Sequence, residues 1–486
     1  MDSLQPVLAV LARVLMGFSF AYLVPMAWAL GSASAERARI WGLGFLITFL
    51  AGWVLGRLVR RHTRELQPRD GFLLVTLVWV VLPACAAAPL MWTVPHIEWA
   101  DAYFEAMSAL TATGATALID LDHLPLSVNI WRCFLQYIGG LGIILLVVAV
   151  LPLLGVGGMQ LYRAETPGPL KDDKLTPRIA ETARGLWTVY FTLSVACLLA
   201  YRVAGMEWPD AFMHMCTTMG LGGFSSHDAS FAYFDSPAIE GVAIVFMSLA
   251  GISFLRYFGV WRARSLGVLR RDAEVRAYVA VLLAATFAVS AVLVAHGVHD
   301  DWPSALRAAA FHVVSLATTT GYASADYAAW PAFAPVLMIF LGCFVSCAGS
   351  TGGGIKMVRM LLLVKQARRE MVRIIHPRVV NPVTLGGATV PPSVLAAVLA
   401  FMLIYGAASV GLTLVMLLSG LDLVTAFSAV IVCLNNIGPG LGDVGPVSSF
   451  GVLNDFQLWV LSFAMLLGRL ELMSVLVLFT PHFWRK

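Results

Sequence analysis

The chain has 486 residues, of which 59% are hydrophobic and only 12% are charged, and its formal net charge is +4. Soluble domains carry about 25% charged residues, so this composition excludes an ordinary soluble protein and indicates a membrane protein. The small net charge does not suggest a nucleic-acid partner. Because the seven cysteines include no Cys-x-x-Cys pair, we expect neither a disulfide framework nor a thiolate metal site.

The first apolar stretch runs from about Val7 to Leu30 and is followed by Gly31-Ser-Ala-Ser-Ala35, which looks like a signal-peptidase site. The stretch is longer than a usual signal sequence, and no Lys or Arg precedes it. We therefore interpret it as a retained transmembrane helix, the first of two apolar spans within residues 1–57. A basic connection follows, which contains Arg57, Arg60, Arg61, Arg64 and Arg69.

From residue 71 onward one pattern occurs four times: an apolar span, a short helix of about ten residues, a loop rich in Thr and Gly, and a second apolar span. Such internal repetition is common in transport proteins. It predicts an all-α polytopic membrane protein with four span–pore helix–span repeats around a central pore, plus two extra N-terminal transmembrane helices. The predicted units are residues 1–70, 71–170, 171–272, 273–380 and 381–486, and the predicted spans of the repeats lie near 71–92 and 130–154, 186–203 and 238–260, 277–297 and 333–350, and 393–419 and 456–480.

A phenylalanine in each short helix sets the register between the loops. The phenylalanine precedes a loop glycine by ten residues in the first three copies and by eleven in the fourth. The pairs are Phe104 and Gly114, Phe212 and Gly222, Phe311 and Gly321, and Phe427 and Gly438. This register selects Gly222 over its neighbours Gly220 and Gly223 as the glycine of the second loop.

Charge predicts the orientation in the membrane. The connections between repeats are rich in Lys and Arg, whereas the segments 115–130, 222–240, 322–332 and 439–456 contain neither and carry several Asp residues. By the positive-inside rule the connections and both termini are cytoplasmic and the loops open outward. An acidic outer face would also raise the local cation concentration.

The loops have the properties of an ion filter. Each short helix would point its partially negative C-terminal end toward mid-membrane, which favours a cation there. Irregular backbone at that depth is tolerated only where it lines a cavity or is buried by protein. Four loops around an axis could then replace the hydration shell of an ion with backbone carbonyl oxygens.

Two further features interrupt apolar spans. Gly349, Gly352, Gly353 and Gly354 disfavour a continuous helix below the third loop and indicate either a mobile gate or a close-packed kink. Arg469 lies within the last predicted span, where a charge is costly. It could hold the Gly-rich segment, repel cations, or be structurally paired, with Glu471 a poor local partner. The histidines, including His214, His227 and His312, form no metal set, and the absence of a catalytic constellation argues against an enzyme.

These residues together resemble the Trk/Ktr/HKT superfamily of potassium transporters, and most closely the TrkH-type translocating subunit. The resembling stretches are Thr113-Gly-Ala-Thr116, Gly222-Gly-Phe-Ser-Ser-His-Asp-Ala-Ser230, Thr318-Thr-Thr-Gly-Tyr-Ala-Ser-Ala-Asp-Tyr327, Asn435-Asn-Ile-Gly-Pro-Gly-Leu-Gly442, Gly349-Ser-Thr-Gly-Gly-Gly-Ile-Lys356 and Leu466-Leu-Gly-Arg-Leu-Glu471. The resemblance covers essentially the whole chain. It implies potassium uptake across a bacterial inner membrane by a homodimer that assembles with a cytosolic TrkA-type nucleotide-binding subunit.

The resemblance also implies the roles of particular residues, with K+ as the transported ion and no covalent cofactor. Filter residues carried over are Ala112, Thr113, Gly114, Gly220, Leu221, Gly222, Thr319, Thr320, Gly321, Asn436, Ile437 and Gly438. Gate residues are Gly349, Ser350, Thr351, Gly352, Gly353, Gly354 and Arg469. Ala112 and the run Met219-Gly-Leu depart from the family pattern, which leaves fine selectivity open, whereas Gly114 favours potassium. A proton- or sodium-coupled secondary transporter and a sodium-selective pore are the alternatives.

Overall fold

The computed structural model describes residues 4–59, 67–149 and 175–485. Part of the first basic connection and residues 150–154 of one predicted span lie outside these ranges. The helices are Gln5–Ser19, Leu23–Gly31, Ala35–Leu58, Pro68–Thr93, Trp99–Leu110, Leu126–Ala149, Leu175–Ala204, Trp208–Gly220, Pro237–Ala250, Phe254–Ala263, Gly267–Arg271, Ala273–Ala295, Trp302–Ala317, Phe333–Gly342, Met357–Ile375, Pro392–Leu418, Leu423–Leu434, Asp455–Arg469, Met473–Leu476 and Pro481–Trp484. A minimal antiparallel pair, Thr384–Leu385 with Ala388–Thr389, is the β structure in this part of the chain.

Six of the described helices are long and apolar enough to cross a membrane. They are Gln5–Gly31, Ala35–Leu58, Arg69–Thr93, Thr182–Ala204, Ala273–Ala295 and Pro392–Leu418. Many large apolar side chains on them are exposed, as Phe191, Leu283 and Leu403 are at 65%, 67% and 75%. Exposed apolar surface on this scale fits contact with lipid. The all-helical polytopic membrane fold predicted from the sequence is therefore confirmed.

Two predicted spans bend sharply. The one predicted near 238–260 bends by 84° between Pro237–Ala250 and Phe254–Ala263, and the one near 456–480 bends by 109° after Arg469. The sequence predicts a single span in each place because both stretches are mostly apolar. The breaks are stabilised by distant parts of the chain. At the first break, for example, Gly251 O accepts a hydrogen bond from Cys347 N at 3.0 Å.

The N-terminal helices pack against the first repeat. Tyr22 stacks on Trp131 with ring centroids 4.6 Å apart, and its hydroxyl donates to Cys85 O at 2.9 Å. Trp131 in turn donates from its indole nitrogen to Ala86 O at 3.1 Å. Buried aromatic polar groups normally need such partners. These contacts join the first N-terminal span to the body of the molecule.

Four short helices, named here short helices 1 to 4, begin in the same way. They are Trp99–Leu110, Trp208–Gly220, Trp302–Ala317 and Leu423–Leu434. An acidic residue stands at the N-cap of each, namely Glu98, Glu207, Asp301 and Asp422. In two of them the cap carboxylate accepts backbone N–H bonds, from Ser304 at 3.1 Å and from Val424 at 2.8 Å. Acidic groups stabilise a helix N-terminus, so all four short helices start at a defined residue.

Candidate functional site

The segments that follow the short helices, named here loops 1 to 4, share one backbone conformation. Each short helix closes with a bond from a loop N–H to the carbonyl five residues earlier, at 2.8 to 2.9 Å. The residue before that N–H and the glycine after it both have positive φ. The residues with the shared N–H are Thr113, Gly222, Thr320 and Ile437, and the glycines that follow them are Gly114, Gly223, Gly321 and Gly438, at φ of 88°, 76°, 86° and 101°.

The predicted register of loop 2 was therefore wrong by one residue. Gly223, and not Gly222, has the left-handed conformation that glycine adopts without strain. The phenylalanine spacing misled because Phe104 and Phe311 are buried in their helices whereas Phe427 is 52% exposed, so the four rings are not equivalent. The spacing from the acidic N-cap would have given the correct register, since Glu98, Glu207 and Asp422 each stand sixteen residues before the glycine with positive φ.

The four loops close into a ring. A Cβ added at Gly114 would overlap the carbonyl oxygen of Gly222, and one added at Gly223 would overlap that of Thr320. Likewise, a Cβ at Gly321 would overlap the carbonyl of Ile437, and one at Gly438 would lie 2.8 Å from that of Thr113. A backbone oxygen of the next loop therefore packs directly against each loop glycine, in the cyclic order 1, 2, 3, 4. Predicted residues from all four loops are brought together.

Side chains join neighbouring loops. Asn436 of loop 4 donates to Thr113 Oγ1 of loop 1 at 2.9 Å, and Tyr322 of loop 3 bonds Thr218 Oγ1 of short helix 2 at 3.0 Å. Gln136, on helix Leu126–Ala149, also fixes loop 2, because its side-chain amide nitrogen donates to Gly222 O at 2.8 Å. Since every one of these groups is buried, each bond satisfies a polar atom that would otherwise be costly.

The Gly-rich residues 343–356, named here the Gly-rich segment, lie against the C-terminal ends of the short helices. Thr351 Oγ1 donates to Met219 O at 3.0 Å, and Ser346 Oγ donates to Thr318 O at 3.2 Å. Gly353 donates from its N–H to Thr319 Oγ1 at 2.9 Å. As predicted, the segment is not helical: the helix before it ends at Gly342 and the next begins at Met357.

Arg469 is buried at 3% exposure and holds the Gly-rich segment. It donates to Thr351 O at 2.8 Å and to Gly139 O at 3.0 Å. It is the last residue of its helix, not the middle of a span, because the chain turns there. Glu471 pairs with Arg359 at 2.7 Å. Of the predicted alternatives for Arg469, contact with the Gly-rich segment is the one that the geometry shows.

Sequence reasoning missed Glu274, which bonds one residue within the Gly-rich segment and one residue just after it. The same carboxylate oxygen accepts from Ala348 N at 2.7 Å and from Val358 N at 3.1 Å. Glu274 is 6% exposed at the start of helix Ala273–Ala295. Nearby, Asp272 pairs with Arg256 at 2.7 Å. The available signal was an acidic residue among the basic ones of its connection, but its partners are more than seventy residues away in sequence.

Two acidic residues meet at His227, namely Asp122 from the segment after loop 1 and Asp210 from the first turn of short helix 2. Its ring bonds Asp122 through Nδ1, lies 3.5 Å from Asp210 through Nε2, and stacks on Tyr233 with centroids 3.4 Å apart. Burial lowers the pKa of His227, but hydrogen bonds and charge from Asp210 and Asp122 outweigh it and raise the pKa above 6.5. His227 therefore links two repeats. Across the described ranges, no group of three or more His, Cys, Asp or Glu could hold a metal ion.

Known proteins resemble this chain in both sequence and structure. The TrkH family profile, described as a cation transport protein, matches residues 41–486. The Trk system potassium uptake protein TrkH of Salmonella typhimurium is 45% identical over 450 residues, which cover 92% of this chain and 93% of that protein. Its counterpart in Halomonas elongata is 45% identical over the full length of both chains. The crystal structure of the potassium transporter TrkH from Vibrio parahaemolyticus superposes with a TM-score of 0.91 at 39% identity, and covers 99% of each chain.

Proposed function

The chain belongs to the TrkH family of cation transport proteins, and from that premise we propose that it takes up potassium through a filter formed by loops 1 to 4. It is a multi-pass membrane transporter and not an enzyme, and K+ is its transported ion. The observation that carries the proposal is the cyclic contact of the four loop glycines with the backbone oxygens of the next loop. A ring of carbonyl oxygens is what replaces the hydration shell of a potassium ion.

The central ring of the proposed filter consists of the carbonyl oxygens just before the four glycines. Their residues are Thr113, Gly222, Thr320 and Ile437. The full proposed set is Ala112, Thr113, Gly114, Gly220, Leu221, Gly222, Thr319, Thr320, Gly321, Asn436, Ile437 and Gly438, to which Gly223 is added. Side chains contribute mainly through size, since glycine leaves space for a neighbouring carbonyl and tolerates positive φ.

The short helices supply the electrostatic part of the mechanism. Their C-terminal ends lie at the ring, where the unsatisfied carbonyls carry about half a negative charge per helix. Four such ends favour a cation without a dedicated carboxylate at the ring. Glu105, the buried acid nearest to loop 1, is already neutralised by Arg132, whose Nε lies 2.6 Å from its carboxylate.

The Gly-rich segment is the proposed gate of this pathway. Residues Gly349, Ser350, Thr351, Gly352, Gly353 and Gly354 would block the inner end of the filter, because Thr351 and Gly353 bond directly to residues at the loops. Arg469 would stabilise the closed state. Its two bonds are hydrogen bonds from a charged group, each worth about 1.5–3 kcal/mol, so opening requires that they be replaced.

The assembly and orientation follow from the family and from charge. We propose a homodimer in the bacterial inner membrane, with both termini cytoplasmic and the loops facing outward. A cytosolic TrkA-type nucleotide-binding subunit would bind the basic inner face. The repeat boundaries proposed are 71–170, 171–272, 273–380 and 381–486, each with one short helix and one loop, after an N-terminal unit of residues 1–70.

Uptake and flux measurements test this function directly. Expression should restore growth at low external potassium in a bacterial strain that lacks its own potassium uptake systems. In liposomes, the reversal potential should follow the potassium gradient and be independent of the proton and sodium gradients. A reversal potential that shifts with an imposed proton or sodium gradient would favour the coupled transporter, and equal permeation of sodium would contradict potassium selectivity.

A further inference from the structure

Each short helix carries a buried polar side chain, nine or ten residues before the loop glycine, that bonds the chain segment leaving the loop. The four side chains are Glu105, His214, His312 and Ser428, at exposures of 0%, 0%, 0% and 3%. The first three stand nine residues before the loop glycine, and Ser428 stands ten before. We propose that these four residues, named here the buttress residues, position the filter backbone and thereby set its ion selectivity.

In loop 1 the buttress is a carboxylate. Glu105 accepts a hydrogen bond from Ala117 N at 2.9 Å, three residues beyond Gly114, and from Thr116 Oγ1 at 3.1 Å. Arg132 bonds the same carboxylate at 2.6 Å and also donates to Ser225 O at 3.4 Å, beyond loop 2. The loop 1 buttress therefore holds the segment after its own glycine and is tied to the next loop.

In loop 3 the buttress is a neutral imidazole. His312 Nδ1 lies 2.8 Å from Ala308 O, a carbonyl that can only accept, so Nδ1 carries the proton. Nε2 is then the acceptor, and it receives the N–H groups of Ser324 at 3.2 Å and Ala325 at 3.3 Å. These are the third and fourth residues after Gly321. A proton on Nε2 would face two N–H donors, so this geometry requires the neutral ring.

In loops 2 and 4, other groups supply the acceptor for the corresponding stretch of backbone. His214 Nδ1 donates to Asp210 O at 2.9 Å, and its Nε2 accepts from Ser225 Oγ at 3.0 Å. Ser225 Oγ in turn accepts from His227 N at 3.2 Å, four residues after Gly223. In loop 4, Ser428 Oγ accepts directly from Leu441 N at 3.0 Å, three residues after Gly438. Four different constructions thus provide an acceptor for the same stretch of backbone.

The recurrence has a physical reason. The segment that leaves each loop is extended, so its N–H groups have no helical partner, and a buried N–H without an acceptor is costly. The acceptor also fixes the orientation of peptide planes only a few bonds from the ring carbonyls. Selectivity depends on how those carbonyls are held. Loss of a buttress should therefore alter the choice between ions before it abolishes their passage.

This inference rests on the proposed filter, and the test uses the full-length chain in cells that lack other potassium uptake systems. His312→Leu removes the acceptor at similar volume, whereas His312→Gln retains an acceptor near the position of Nε2. We expect the Leu variant to lower the ratio of potassium to sodium uptake by about threefold to tenfold, the range that one neutral hydrogen bond spans. The Gln variant should keep the ratio within about twofold of the wild type.

Ser428→Ala provides a second, smaller change if His312→Leu is not inserted in the membrane. Ser290→Ala is the matched control, because Ser290 is also buried and its hydroxyl bonds the carbonyl of Thr286, within a helix of the third repeat. An unchanged ion ratio in both His312→Leu and Ser428→Ala would overturn the proposal. If the wild type itself does not discriminate potassium from sodium, the proposed function fails instead, whatever the variants do.

Discussion

At the scale of single residues, the loop glycines are required for two separate reasons, which can be tested apart. Gly321 has φ of 86°, and an added Cβ would overlap Ile437 O. Gly297 has a similar φ of 67°, but nothing lies within 4 Å of an added Cβ. The pair therefore separates backbone strain, which costs about 1–2 kcal/mol for an alanine in this conformation, from the close approach of the next loop.

We predict that Gly321→Ala abolishes potassium uptake while Gly297→Ala reduces it less than twofold. The alanine methyl at position 321 cannot be accommodated unless loop 4 moves, and movement of loop 4 opens the ring. Rubidium uptake, normalised to the amount of protein in the membrane, measures both variants. Equal uptake by the two variants would show that the close contact with Ile437 is not needed for transport.

At the scale of structural elements, the Gly-rich segment is held by charged groups from two other helices. Arg469 bonds Thr351 within it, and Glu274 bonds Ala348 within it and Val358 just after it. We predict that Glu274→Ala increases potassium leak about tenfold, because two backbone N–H groups lose their acceptor in the closed state and about 1.4 kcal/mol corresponds to a factor of ten. Glu274→Gln should remain closed, since its side-chain oxygen still accepts.

Liposome flux without the regulatory subunit measures this leak, with Arg469→Ala and deletion of Gly352–Gly354 as open references. Glu240→Ala is the control, because Glu240 is also a buried carboxylate but pairs with Arg307, at 2.7 Å, away from the Gly-rich segment. If the open references leak and Glu274→Ala does not, the gate hypothesis stands but Glu274 does not contribute to closure. A tightly closed deletion variant would contradict the gate itself.

The same elements show how far sequence reasoning reaches. The four short helices and the loops that follow them could be predicted, because each stands in a local pattern of apolar span, short helix and Gly-containing loop. The breaks after Ala250 and Arg469 could not, because their apolar windows look continuous and the bonds that stabilise them come from residues distant in sequence. The glycine of loop 2 was only partly predictable. Loop 2 contains Gly220, Gly222 and Gly223, and only the backbone conformation shows that Gly223 corresponds to the glycines of the other loops.

At the scale of the whole molecule, the ring of His227 connects the segment after loop 2 to Asp122 in the segment after loop 1. The titratable groups around it are Asp122, Asp210, Asp228, His123, His214 and Tyr233. Partial burial lowers the pKa of His227, but Asp210 and Asp122 raise it above 6.5, and His227 in turn contributes to lowering the pKa of both carboxyl groups. The protonated ring therefore stabilises the contact between the first two repeats.

The raised pKa of His227 determines how the stability of the protein changes with pH. Because the pKa of His227 is higher in the folded protein than in the unfolded chain, its contribution to stability is fully present below pH 6.5 and is lost as the pH rises through the raised pKa. We predict that the melting temperature of the purified protein declines over this range, and that His227→Gln removes most of the decline. His376→Gln, at an exposed histidine elsewhere, should leave it unchanged. Parallel curves for the wild type and His227→Gln would show that the contact of His227 with Asp122 and Asp210 does not stabilise the fold.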